Sequence, residues 1–131
     1  MNAIGSVLLD TSVVIDYFRQ DPGLHLKIDQ ADDVYLPLVA LGELLYGVHK
    51  SNRPAKALAT LQEFCRGCII LLPDEKTADL YGQIKAELSA AGRRIPENDV
   101  WIAAVARQQD YPLATRDRHF SFVPGLAILE W

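Results

Sequence analysis

The sequence predicts an α/β domain of three layers, in which a central parallel sheet of about five strands is covered by helices on both faces. Two observations carry this prediction. Short, almost continuously apolar segments alternate along the chain with longer segments whose apolar residues recur at helical spacing. The short segments lack the polar–apolar alternation of a half-exposed sheet, which is typical of parallel strands buried on both faces.

The bulk composition fits a single domain over residues 1–131. Half of the residues are apolar and 23% are charged, so a chain of this length can form a core without disulfides. No apolar run approaches the roughly 20 residues that span a bilayer, and Met1–Ser6 lacks the basic start of a signal peptide. We therefore expect a cytoplasmic protein with no membrane association.

The first half of the chain predicts two strands and four helices. An apolar run ending in Asp10 indicates the first strand, and Pro37 closes the second strand and begins a helix. Pro22-Gly23 is interpreted as a break between two shorter helices, whereas Pro54 suits the first turn of the fourth helix. The predicted elements are strands 6–10 and 34–36 and helices 11–19, 24–29, 37–51 and 54–65.

The second half predicts three strands and two helices. Pro73 stops an apolar run, and Gly92 closes the long amphipathic helix that follows. A last helix begins at Pro96 and is ended by Pro112. The remaining predicted elements are strands 69–72, 113–115 and 126–129 and helix 74–91.

Four acidic residues fall where such a fold gathers function. Asp10 and Asp117 follow the first and fourth strands, and the carboxyl ends of parallel strands meet at one edge of the sheet. Asp99 shares a helix face with apolar neighbours and therefore points inward, and Glu43 flanks an apolar stripe among small residues. Each acid alone also fits a structural role, such as a helix cap, a helix-dipole partner, a solvated helix position or a turn.

Clustered carboxylates predict a divalent cation and phosphodiester chemistry. Carboxylates that share a buried site repel one another, and a hard cation such as Mg²⁺ is the simplest counter-charge. A net charge of −4 argues against a nucleic-acid partner unless several acids share one metal site. Basic residues beside the acids are candidates for phosphate contacts, with a solvated basic face as the alternative: Arg93, Arg94, Arg116 and Arg118.

Four segments together resemble the PIN-domain family. Residues 7–15 resemble its opening strand followed by D-[TS]-[NS], and residues 43–47 resemble its E-L-x-x-G motif. Residues 98–104 resemble N/D-D-x-x-I-A-A, and residues 115–120 resemble T-x-D-x-x-F. The motifs occur in the family's order and cover nearly the whole chain. The resemblance implies a five-stranded parallel sheet with an acidic pocket.

The chain also resembles, in length, the VapC toxins of VapBC toxin–antitoxin pairs within that family. This likeness implies a ribonuclease dependent on Mg²⁺, with Mn²⁺ as the other candidate ion. It implies a small VapB-like antitoxin that blocks the pocket, and a homodimer or a toxin–antitoxin hetero-oligomer. It further implies roles for six residues: Asp10 and Asp99 as main metal ligands, Glu43 and Asp117 completing the acidic site, and Ser12 or Thr115 hydrogen-bonding the acids.

Two other functions stay open at this point. A non-catalytic domain of the same fold would keep the acidic pocket as an interaction site, because fold alone does not determine activity. An aspartyl-phosphate phosphotransferase would use Asp10 as its nucleophile. Those enzymes usually need a second Asp two residues on, where this chain has Ser12.

The remaining candidates concern cysteines, stacking and partners. Cys65 and Cys68 are expected to be reduced structural thiols, because the sequence offers no matching zinc ligands. Three aromatic residues could stack on RNA bases or belong to the core: Tyr17, Trp101 and Phe120. The helix pair 37–51 and 53–65 either clamps a partner or packs in its own domain through Leu38, Leu41, Leu45, Tyr46 and Leu61.

Overall fold

The computed structural model describes residues 4–131. Its centre is a parallel five-stranded sheet. The strands are β1 (Ile4–Leu9), β2 (Ala31–Pro37), β3 (Ile69–Leu71), β4 (Leu113–Thr115) and β5 (Ile128–Glu130), in the order β3-β2-β1-β4-β5. Residues 1–3, part of the segment expected not to be a signal peptide, lie outside the described residues.

Six helices and one 3₁₀ turn connect the strands. They are α1 (Thr11–Phe18), α2 (Pro22–Gln30), α3 (Leu38–His49), α4 (Pro54–Cys65), α5 (Glu75–Ala90), α6 (Glu97–Gln109) and the 3₁₀ turn Arg118–Phe122. Among the described residues, no helix combines the length and the apolarity needed to cross a membrane.

The central strand shows that the sheet is covered on both faces. Val7, Leu8 and Leu9 are consecutive residues of β1, and each is fully buried. Because successive side chains of a strand point to opposite faces, complete burial of all three requires packing above and below the sheet. The predicted three-layer α/β fold is therefore confirmed.

The strand order creates the crevice in which the acids lie. β1 pairs with β2 on one side and with β4 on the other, so the chain switches direction across the sheet between β1 and β4. Pairing with β4 extends to Leu9, the last residue of β1, and the Asp10 N–H then donates to the Ala114 carbonyl at 3.0 Å. Ligands bind outside the carboxyl ends of strands at such a switch point.

Two predictions about the ends of helices were wrong. Pro22-Gly23 forms the first turn of α2, because Asp21 accepts bonds from the Gly23 and Leu24 N–H groups and caps the helix. α6 ends at Gln109, ahead of Pro112, because Asp110 adopts a left-handed conformation with φ of 57°.

The last strand begins two residues later than predicted. Register is set by pairing with β4, in which Leu113 lies opposite Ile128 and Thr115 opposite Glu130. The Leu113 N–H also donates to the Ala127 carbonyl at 2.9 Å. These contacts are not local in sequence, so the apolar run itself does not locate the strand.

The two cysteines agree with the expectation of unreactive thiols. Cys65 and Cys68 are free and partly buried. Burial, followed by the neighbouring Cys65 sulfur, raises the pKa of the Cys68 thiol to about 12. A thiol that resists deprotonation is a poor nucleophile and a poor metal ligand.

Candidate active site

Two hydroxyl groups hold the Asp10 carboxylate at the carboxyl end of β1. Ser12 Oγ donates to Asp10 Oδ2 at 2.7 Å, and Thr115 Oγ1 donates to the same oxygen at 2.8 Å. Asp10 occupies the N-cap position of α1, but its side chain makes no capping hydrogen bond. With only 3% of its surface exposed, the carboxylate is oriented by these hydroxyls instead of by the helix.

The same hydroxyls also accept hydrogen bonds from the turn after β4. Thr115 Oγ1 accepts from the Asp117 N–H at 3.0 Å, and Ser12 Oγ accepts from the Arg116 N–H at 3.2 Å. Each hydroxyl therefore links the turn at residues 115–117 to Asp10. The first and fourth acidic segments are tied together in this way.

Asp99 lies where the other three acids converge. Its carboxyl group is in the first turn of α6 and is 7% exposed. Burial, and then the charges of Asp10, Asp117 and Glu43, raise the pKa of Asp99 to about 7. A buried carboxyl that faces three acids lacks a counter-charge of its own. The structure thus brings together the four acids that the sequence identified.

Hydrogen bonds orient the two more accessible acids. Thr11 Oγ1 donates to Glu43 Oε1 at 2.8 Å, which joins α1 to α3. Asp117 caps the 3₁₀ turn, and its Oδ1 accepts from the His119 N–H at 2.9 Å. Both acids are partly buried, so each keeps some access to solvent or to a ligand.

A donor set suitable for a divalent cation is present. One ligand atom each of Asp99, Asp117 and His119 lies within 4.8 Å of the other two. Carboxylate oxygens suit both Mg²⁺ and Mn²⁺, and first-row transition ions bind imidazole nitrogen more readily than Mg²⁺ does. The site residues therefore fit a divalent cation. Sequence reasoning missed His119, although a histidine two positions from a candidate acid was the available signal.

Arg116 is bound to protein groups. Its guanidinium contacts Asp16 Oδ2 and Asp21 Oδ2 at 2.9 Å each, and Nε donates to the Trp131 carbonyl at 2.7 Å. The hydrogen bond from Arg116 lowers the pKa of Asp21. This arginine thus ties β4 to the α1–α2 junction and to the chain's last residue.

The other three candidate arginines are exposed. Arg93 lies over the Phe122 ring, with its guanidinium carbon 4.2 Å from the ring centroid. Arg93 and Arg94 line a cavity of about 800 Å³ beside the start of α6. Arg118 is exposed on the 3₁₀ turn next to Asp117.

The aromatic candidates separate into core and partly exposed rings. Phe120 is fully buried, so its ring is a core residue that an RNA base cannot reach. Tyr17 stacks on His25 with ring centroids 3.9 Å apart, and Trp101 stacks on Tyr81 at 4.2 Å. Each of these two rings already has one face covered within the fold.

A cavity of about 400 Å³ separates α1 from the helix pair α3 and α4. Glu43 lies on its wall together with apolar residues such as Ile15 and Leu44, so the cavity borders the acidic site. Of the five apolar candidates on the helix pair, Leu61 is core at 2% exposure. Leu38 and Tyr46 are 42% and 65% exposed. The helix pair therefore has both a core side and an unburied apolar side.

Comparison with known proteins places the chain in a family. The PIN-domain family model matches residues 7–126. "Ribonuclease VapC2" of Haemophilus influenzae is 35% identical over 127 residues, covering 95% of this chain and 96% of the relative. "tRNA(fMet)-specific endonuclease VapC" of Shigella flexneri is 32% identical over 128 residues, covering 95% and 96%.

A solved structure supports the same assignment. It is VapBC-5 of Mycobacterium tuberculosis, described as a member of the VapBC family of toxin–antitoxin systems. The TM-score is 0.77 with 32% sequence identity, over 96% of this chain and 98% of that one. The match to the PIN-domain family model extends from the middle of β1 to beyond the fourth acidic motif. This chain belongs to the PIN-domain family.

Proposed function

We propose that this chain, as one PIN domain over residues 1–131, is a Mg²⁺-dependent endoribonuclease. The observation that carries the proposal is the burial of the Asp99 carboxyl group beside three other acids. Such an arrangement is unfavourable for the protein alone and becomes favourable when a divalent cation is bound. The relatives named as ribonucleases support RNA as the substrate.

The roles of the acids follow from their placement. Asp10 and Asp99, the two buried acids, would hold the cation, and Glu43 and Asp117 would complete the site. When bound, the cation supplies polarisation of the scissile phosphate and of water. Ser12 and Thr115 keep the Asp10 carboxylate in one orientation, which preserves the geometry of the acids between turnovers.

Glu43 is the acid best placed to act on water. Glu43 lies on the wall of an open cavity, and the hydrogen bond from Thr11 occupies only one of its two carboxylate oxygens. Hydrolysis forms a P–O bond to the water oxygen and breaks the bond to the leaving oxygen, which takes up a proton. Glu43 would orient the attacking water for this displacement, and Arg118 would contact the backbone phosphates.

The test is cleavage of total RNA by the purified protein. We expect cleavage that EDTA abolishes, that added Mg²⁺ restores, and that Asp99→Asn reduces at least about 100-fold. Asp110→Asn is the matched control, because it makes the same change at the exposed end of the same helix. Undiminished cleavage by Asp99→Asn in Mg²⁺ would contradict the proposal. Metal binding without cleavage of any RNA would favour the non-catalytic alternative.

We further propose that the protein is the toxin of a VapBC-type pair in the cytoplasm, held as a homodimer or a toxin–antitoxin hetero-oligomer. The similar structure from Mycobacterium tuberculosis belongs to a toxin–antitoxin system. The apolar cavity between α1 and the helix pair borders Glu43, so a peptide segment seated there would reach the acids. A small VapB-like antitoxin is the proposed occupant.

A further inference from the structure

We propose that His119 supplies a nitrogen ligand to the cation held by the acids, and that this donor shifts the site's preference from Mg²⁺ toward Mn²⁺. The inference rests on the proposed function, because it requires a metal at the acidic cluster. It adds a ligand outside the four acids and makes a specific statement about ion selectivity.

The 3₁₀ turn Arg118–Phe122 brings the imidazole to the acids. Asp117 caps this turn, and the fully buried Phe120 anchors it to the core. His119 Nδ1 consequently lies 2.9 Å from Asp117 Oδ1. The His119 side chain is 48% exposed, so it has room to adjust when a cation enters.

The distances are compatible with three donors around one six-coordinate ion. With metal–ligand bonds of about 2.1 Å, neighbouring donors of an octahedron lie about 3.0 Å apart and opposite donors about 4.2 Å apart. The 2.9 Å between His119 Nδ1 and Asp117 Oδ1 is a hydrogen-bond distance, and it is also close to the spacing of a neighbouring pair of donors. The remaining separations among Asp99, Asp117 and His119 are at most 4.8 Å, so a small movement of the exposed His119 side chain would bring all three ligand atoms within reach of one ion.

A nitrogen ligand would change ion selectivity in a definite direction. Mg²⁺ takes oxygen ligands and keeps several of its waters, so an imidazole adds little to its binding. First-row transition ions accept imidazole nitrogen readily. His119 should therefore strengthen Mn²⁺ binding more than Mg²⁺ binding. If His119 only orients Asp117 by hydrogen bonding, its removal should weaken both ions alike.

The test uses the metal-free full chain and Mn²⁺ alone as the probe. Pulsed electron paramagnetic resonance detects ¹⁴N nuclei bonded directly to Mn²⁺. We expect such a coupling in the parent, its loss in His119→Ala, and its retention in the control His49→Ala, whose histidine is exposed on α3. Mn²⁺ affinity should fall at least about tenfold in His119→Ala, and Mg²⁺ affinity by less than about threefold.

The outcomes separate this inference from the proposed function. The histidine ligand is excluded if Mn²⁺ binds to the parent with no ¹⁴N coupling, or if the coupling persists in His119→Ala. Either result leaves the proposed metal-dependent nuclease unaffected. Equal loss of Mg²⁺ and Mn²⁺ affinity would also exclude the histidine ligand. A parent that binds Mn²⁺ no better than Asp99→Asn would refute the metal site itself. His119→Gln keeps a polar side chain and serves as a second variant if His119→Ala does not fold.

Discussion

Thr115 Oγ1 donates a hydrogen bond of 2.8 Å to Asp10 Oδ2, across 105 positions of the chain. Thr115 is 2% exposed and Asp10 is 3% exposed, so water does not compete for this bond. The bond joins the carboxyl ends of β1 and β4, the two strands that flank the crevice. The contact therefore links the paired ends of these strands to the orientation of a candidate metal ligand.

Replacing Thr115 by valine should test that contact. Thr115→Val keeps the shape but removes a donor to Asp10 and the acceptor of the Asp117 N–H. We expect RNA cleavage to fall about 10- to 100-fold and the free energy of unfolding to fall by about 1–3 kcal/mol. Thr60→Val is the control, because that exposed hydroxyl bonds only to its own helix. Parental cleavage by Thr115→Val would contradict the orienting role.

The raised pKa of Asp99 predicts that the metal-free protein becomes less stable as pH rises. In the folded state this carboxyl keeps its proton up to a pKa of about 7, whereas its ordinary pKa in an unfolded chain is 3.8. Between these values the folded state binds more protons, so the free energy of unfolding decreases with pH. The full loss, up to about 4 kcal/mol, is reached above pH 7.

Urea unfolding of the metal-free protein at pH 5 and pH 8 measures this effect. The parent should lose stability across the interval, and Asp99→Asn should lose much less. Adding Mg²⁺ should stabilise the parent more at pH 8 than at pH 5, because the cation binds the ionised carboxylates. A parent and an Asp99→Asn variant with parallel pH profiles would show that this carboxyl ionises normally.

Arg116 and Arg118 should differ in what they contribute. Arg116→Gln leaves Asp16 and Asp21 facing each other without their shared cation, so we expect the melting temperature to fall by several degrees. Arg118→Gln should leave the melting temperature unchanged, because its exposed side chain makes no salt bridge or hydrogen bond with the described residues. RNA binding should weaken in Arg118→Gln. Equal melting temperatures for the two variants would contradict the structural role of Arg116.

The loop arginines predict a change in the salt dependence of RNA binding. Arg93→Ala/Arg94→Ala in the Asp99→Asn background allows binding to be measured without cleavage. If both arginines contact phosphates, the slope of log affinity against log salt should become less steep by about 1.4, or 0.7 for each contact. An unchanged slope would remove both from the RNA interface, and Arg93 would then serve only by packing on Phe122.

The cavity beside α3 predicts where the antitoxin binds. Gly47 lies on its wall, and a Cβ atom there meets no heavy atom within 4 Å, so the side chain of Gly47→Trp can start into the cavity without a clash at Cβ. We expect this variant to lose co-purification with the proposed VapB-like antitoxin. Gly82→Trp is the matched control, since Gly82 also has open space but lies on α5. Unchanged co-purification by Gly47→Trp would exclude this cavity as the docking site.

Local patterns predicted the elements well where their signals are local. The bounds of α4 and β4 were predicted to the residue, because Pro54 marks a first helical turn and Pro112 precedes a short apolar run. The 3₁₀ turn Arg118–Phe122 was not anticipated. It depends on the Asp117 cap and on the burial of Phe120, and only the second requires the rest of the fold.

The sequence by itself determined the alternation of strands and helices and the identity of four acids at the ends of those elements. Both are properties of neighbouring residues, since side-chain periodicity and turn chemistry act over a few positions. Only the tertiary structure decided which groups meet. The raised pKa of Asp99, the internal pairing of Arg116 and the approach of His119 to Asp99 each depend on side chains that packing brings close, and local patterns do not specify such partners.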